Sequence, residues 1–107
     1  MAYRRILVKE LFRLDLNEII KYISLELSNN ETAKTLLNNI QNLFERIREF
    51  PELYPVVDMT STDFSKVRRA IVGNYIILYF FDKEKDIIVV LRIIHGKRQI
   101  NRLLKML

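Results

Sequence analysis

The chain has 107 residues, half of them hydrophobic and 29% charged, with no cysteine and a single histidine. That supports one apolar core and one domain, residues 1–107, and it excludes a disulfide framework, a thiolate nucleophile and a Cys- or His-rich metal site. The net charge of +5 is unevenly spread: 8 Lys/Arg against 10 Asp/Glu up to Asp63 (net −2), then 10 against 3 beyond it (net +7). A basic C-terminal half points to an anionic partner, nucleic acid or an acidic peptide, or more plainly to a soluble surface.

Tyr3–Lys9 (YRRILVK) reads as a short edge strand, its Arg and Lys discouraging edge-to-edge pairing. From Glu10 to Leu27, Phe12, Leu16, Ile19, Ile20, Ile23 and Leu27 recur on one helical face. Leu14 and Leu25 share the opposite face with Lys21, as exposed leucines or a contact site. Ser28 with Glu31 fits a capping box, with Asn29 and Asn30 as equal alternatives, and a second helix is expected over Glu31–Phe50. Its apolar set is Ala33, Leu36, Leu37, Ile40, Leu43, Phe44, Ile47 and Phe50, and Pro51 stops it. The two helices should form an antiparallel hairpin.

Pro51–Ser65 has no helical period and reads as an irregular connector. Three strand-like runs follow. Lys66–Val72 turns at Gly73-Asn74. Tyr75–Phe81, apolar on both faces, is the expected central strand, and Asp86–Ile94 follows the charged DKEKD loop. Ile100–Met106 is expected as a last short helix. The whole is an α+β domain of order β-α-α-β-β-β-α, with a mostly antiparallel twisted sheet and the helical hairpin on one face. The apolar stretches Ala70–Phe81 and Ile87–Ile94 are too short to span a bilayer, no signal segment is visible, and the cytoplasm is the expected location.

Past Asp86, Arg92 is the only charge in its strand, on the phase of Ile88, Val90 and Ile94. If the helices cover Ile87, Val89, Leu91 and Ile93, Arg92 points into an open sheet face; the alternative is an ion pair with a helix glutamate. Arg68 and Arg69 alternate across their strand, so one of them joins that face. Lys97, Arg98, Arg102 and Lys105 extend the cationic cluster, either for phosphate or carboxylate binding or as a solvated terminus. His95 is the one histidine, a residue type suited to proton transfer, and Tyr75 and Tyr79 share a face of their strand, as core residues or, if that face is open, as a surface for stacking bases. No P-loop, GxGxxG, HExxH or GxSxG occurs, and no cofactor or metal is implied.

The order of elements, with REFPELYP, VRRAIVGNYIILYFF and VVLRIIHGKR, resembles the RelE/ParE toxin superfamily of type II toxin–antitoxin systems. The resemblance implies a small basic toxin neutralised by a cognate antitoxin that wraps around it, as a toxin–antitoxin hetero-oligomer, with a homodimer also open. The RelE-like branch consists of ribosome-dependent mRNA endoribonucleases, and the ParE-like branch inhibits DNA gyrase by binding. For a ribonuclease, Arg69, Arg92, His95, Lys97 and Arg98 are the catalytic candidates: arginine to stabilise the anionic phosphorane, His95 or Lys97 to move the proton. For binding to target or antitoxin, the candidates are Arg68, Tyr75, Tyr79, Arg92, His95, Lys97, Arg98 and Arg102. Arg69 and Arg98 match basic positions of the ribonuclease branch. That branch's arginine after the strand tyrosine is Ile76 here, and its C-terminal tyrosine falls near Leu104. The L-R-x-x-H-G-x-R ending is more similar to the ParE-like branch, which is the favoured expectation.

Overall fold

The computed structural model describes residues 4–57 and 66–96. β1 (Arg5–Val8) leads into α1 (Glu10–Lys21), which continues as a π-helical turn at Tyr22–Glu26; α2 (Asn30–Glu49) follows. After the connector come β2 (Arg68–Val72), β3 (Tyr75–Asp82) and β4 (Ile87–His95). The sheet order is β1-β4-β3-β2. β2–β3 and β3–β4 are antiparallel hairpin pairs, whereas β1 joins β4 in parallel. The α+β class and the mostly antiparallel sheet follow the expectation, and β1 lies at an edge. The inner position is shared by β3 and β4. The expected helix at Ile100–Met106 lies outside the described residues.

Local chemistry explains the boundaries. Asn29, one of the three capping candidates, is the residue that caps α2, its side-chain oxygen accepting from the Thr32 N–H at 3.1 Å. Pro51 closes the helix by withholding an N–H. At the β2–β3 turn Gly73 has φ +57° and Asn74 does not share the positive φ, the pattern of a type II′ hairpin that glycine fills without strain.

The helical hairpin covers one sheet face. Phe12 and Ile23 of the first helix and Ala33, Leu36, Ile40, Leu43 and Ile47 of α2 pack on Ala70, Val72, Ile77, Tyr79, Ile88, Val90 and Ile93. Leu27, expected in this core, is exposed instead. The π-helical turn adds residues per turn and carries the end of the helix out of phase with the apolar stripe.

The opposite face differs from expectation. Ile76, Leu78 and Ile94 are buried there with Val57 of the connector and Val67, while Ile71 on the same face is 60% exposed; among the described residues the open apolar face expected around Arg92 is therefore largely closed. The strand phase differs too. The register runs Leu78↔Arg92 and then Tyr79↔Val90, which leaves Leu91 as an extra residue in β4. This β-bulge resets the alternation: Ile88, Val90 and Ile93 face the helices, while Leu91 and Ile94 pack on the other side.

Tyr79, a candidate for stacking bases, is sealed in the helix-side core. Its hydroxyl donates to the Pro51 carbonyl at 2.9 Å, and Tyr54 meets its ring edge-on at 6.4 Å. It therefore ties the end of α2 to the sheet. Burial raises its pKa to about 12, against a smaller lowering by Arg68.

Ile47 is fully enclosed between α2 and the sheet, so Ile47→Ala should cost about 3 kcal/mol in urea unfolding, whereas Leu25→Ala, on the exposed side, should stay within about 0.5 kcal/mol. The raised Tyr79 pKa means that its contribution is complete below pH 10 and is lost as pH rises through about 12. Stability should thus fall by roughly 3 kcal/mol across that interval. Tyr79→Phe should flatten the slope, as read from denaturation midpoints at successive pH values.

Candidate functional site

β1 pairs with β4 only from Arg5↔Ile87 to Val8↔Val90, and the Lys9 N–H closes the ladder on the Val90 carbonyl at 2.9 Å. Past Val90, this edge of β4 has no strand partner among the described residues. Asp15 of α1 occupies that edge. Its carboxylate accepts the Ile93 N–H at 3.2 Å and, in a two-point contact, the Arg92 Nε at 2.6 Å and Nη2 at 2.8 Å. Both side chains are 17% exposed. The hydrogen bond to Asp15 is the main reason that the Arg92 pKa lies above the ordinary value, against a partial offset from burial.

This corrects the expectation for Arg92. The residue opposes Leu78 in the sheet, yet its guanidinium does not stand free in an open groove. The alternative was close to the mark: the partner is a helix carboxylate, but an aspartate. Nothing in the helix periodicity separates Asp15 from Glu10 or Glu18. Only the end of β1 makes it the partner.

Arg68 is also engaged internally. Its Nη1 donates to the Glu52 and Tyr54 carbonyls at 3.1 and 2.7 Å, and its Nη2 lies 3.7 Å from the Glu52 carboxylate, which also meets Lys83 at 3.2 Å. Arg68 thus pins the connector across β2, where Val57 and Arg69 donate to the Val67 and Pro55 carbonyls. The Arg69 side chain, on the Leu78 face, makes no ion pair or hydrogen bond among the described residues. Arg4, not singled out from the sequence, joins Asp86 at 3.0 Å and the Arg48 carbonyl at 2.6 Å, holding β1 to the end of α2.

His95 is exposed at the end of β4, with its ring edge-on to Tyr75 at 5.2 Å. Tyr75 is half-buried, and burial, followed by the nearby Tyr22, raises its pKa. Asp15, Glu18, Tyr22, Tyr75, Arg92 and His95 line a cavity of about 550 Å³ between the first helix and the end of β4. Arg92, Tyr75 and His95 are therefore brought together, whereas Arg68 stands at a separate cleft with Glu52 and Lys83, and Tyr79 reaches no surface. Lys97, Arg98, Arg102 and Lys105 lie outside the described residues. Among those described, no group of three potential metal ligands occurs, and no helix is long and apolar enough to cross a membrane.

Removing Asp15 leaves a mostly buried arginine and an orphaned N–H, so Asp15→Ala should cost about 2–3 kcal/mol in chemical unfolding. Replacing both charges, as in Asp15→Leu/Arg92→Met, should recover a good part of that loss.

A sequence model of the ParE toxin family of type II toxin–antitoxin systems, parDE, matches residues 6–100. No curated protein matches the chain. Among solved structures, the fold is similar to the chromosomal ParDE system of P. aeruginosa (TM-score 0.65, 14% identity, 89% of this chain and 98% of that one). It is also similar to the archaeal RelE–RelB complex of Pyrococcus horikoshii OT3 (0.63, 15%, 91% and 99%) and to the isolated E. coli RelE toxin (0.58, 12%, 99% and 100%). With the strand order, the helical hairpin and a family match over most of its length, the chain belongs to the ParE toxin family within the RelE/ParE superfamily.

Proposed function

We propose that this protein is the toxin of a type II toxin–antitoxin pair that inhibits DNA gyrase by binding and is neutralised by a cognate antitoxin. The observation that carries the reading is the family match across residues 6–100. The solved complexes with a RelB or ParD partner support an antitoxin as the neutralising ligand. The cytoplasm, where such a target resides, is the proposed location.

Two features favour binding over RNA cleavage. Cleavage by attack of a ribose 2′-OH needs a cation free to meet charge developing on the phosphorane. Arg92, one of the candidates, already gives two hydrogen bonds to Asp15. Ile76, where the ribonuclease branch carries arginine, is buried and apolar. The Arg69 side chain makes no ion pair or hydrogen bond among the described residues and suits recognition of an acidic surface.

Purified protein added to gyrase should block supercoiling and trap a cleavage complex, and stoichiometric antitoxin should restore activity. Normal supercoiling at excess toxin, together with new codon-linked ends in primer extension on translated mRNA, would replace this reading with the ribonuclease one. Arg69→Ala should weaken gyrase inhibition severalfold at unchanged stability, as checked by the inhibitory concentration and the unfolding midpoint.

A further inference from the structure

Two departures from regular geometry meet at one place in this fold. The first helix loosens into its π-helical turn at Tyr22, and β4 carries its extra residue, Leu91, immediately before Arg92. Irregularities of both kinds sacrifice regular hydrogen bonding and recur where a side chain has to be re-aimed. Between them lies the 550 Å³ cavity, with the rings of Tyr22, Tyr75 and His95 and the carboxylates of Asp15 and Glu18 on its walls.

The charge of this cavity runs against that of the protein. Arg92 neutralises Asp15. The Glu18 side chain makes no ion pair or hydrogen bond among the described residues, so among them one carboxylate is left over beside three aromatic rings. Aromatic faces next to a free carboxylate favour a cation, and a planar guanidinium can stack on a ring while it donates to the carboxylate. Asp15 already takes a two-point contact from the Arg92 guanidinium at this site.

Apolar neighbours indicate how the cation arrives. Leu14, Glu18, Tyr22 and Leu25 follow one another at steps of 4, 4 and 3 along the helix, and Leu14 and Leu25 are 51% and 71% exposed. A chain of net charge +5 repels small free cations at long range. A guest with apolar groups to lay on both leucines gains the contact that offsets this repulsion. We propose that the cavity receives an arginine side chain presented by a partner polypeptide, with apolar residues of the same segment on Leu14 and Leu25. The site is separate from the gyrase reading and does not rest on it.

The probe is a capped peptide, acetyl-Leu-Ala-Arg-Ala-Leu-amide, titrated into the full-length protein while the ring resonances of Tyr22, Tyr75 and His95 are followed by NMR. Saturable shifts confined to these rings are expected. Binding should weaken at least about fivefold when citrulline replaces the arginine, in the Glu18→Gln variant, and in Tyr22→Leu. Alanine in place of both peptide leucines should weaken it by a similar factor. Equal binding of the citrulline peptide, or an unchanged affinity in Glu18→Gln, would overturn the arginine site. Equal binding of the leucine-free peptide would overturn the polypeptide partner. Glu18 is exposed, so its substitution leaves the fold intact, and unfolding midpoints of each variant provide the control.

Discussion

One carboxylate holds the irregular corner of this fold together. β1 is only four residues long, so the parallel partner of β4 runs out halfway along it. Part of the remaining edge is taken by Asp15, which stands in for a strand by accepting the Ile93 N–H and takes up the charge of Arg92 with the same carboxylate. An exposed strand edge invites pairing with other chains, and an unpaired arginine on a largely apolar strand is costly. The single contact answers both problems. It also fixes the first helix against β4, and so forms the cavity where Tyr75 and His95 sit.

The contact also redistributes the basic residues between structure and recognition. Arg92 and Arg68 are both mostly buried against the sheet, and each is spent on internal bonds, one to Asp15 and one to the connector carbonyls. Among the described residues, the half-buried Arg69 and the exposed His95 carry no ion pair. For a toxin of this family, that division matters: a protein that acts by binding can use its cations as a scaffold, whereas one that stabilises a phosphorane has to keep a cation free.

Much of the fold was legible in the chain. The apolar spacing of Ala33, Leu36, Ile40, Leu43 and Ile47 determined α2 and its buried face, because a 3.6-residue period has one packing solution against a sheet. Pro51, Gly73 and the DKEKD loop set the ends of elements through backbone restrictions that act locally. The RelE/ParE likeness rested on the joint order of these elements, and the family match supports it.

What tertiary structure alone decided begins at the bulge in β4. One extra residue at Leu91 reverses which side chains face the helices, and no local preference in VVLRII marks where it falls. Strict alternation therefore placed Arg92 in an open groove. The register instead set it at an edge beside Asp15, 77 residues away in the chain. Ile76, Leu78 and Ile94 on the second face are likewise buried in a cluster with Val57 and Val67, which the alternation of each strand alone does not reveal. Periodicity and turn chemistry are properties of neighbours in sequence; the pairing of a charge is decided by where the strands stop.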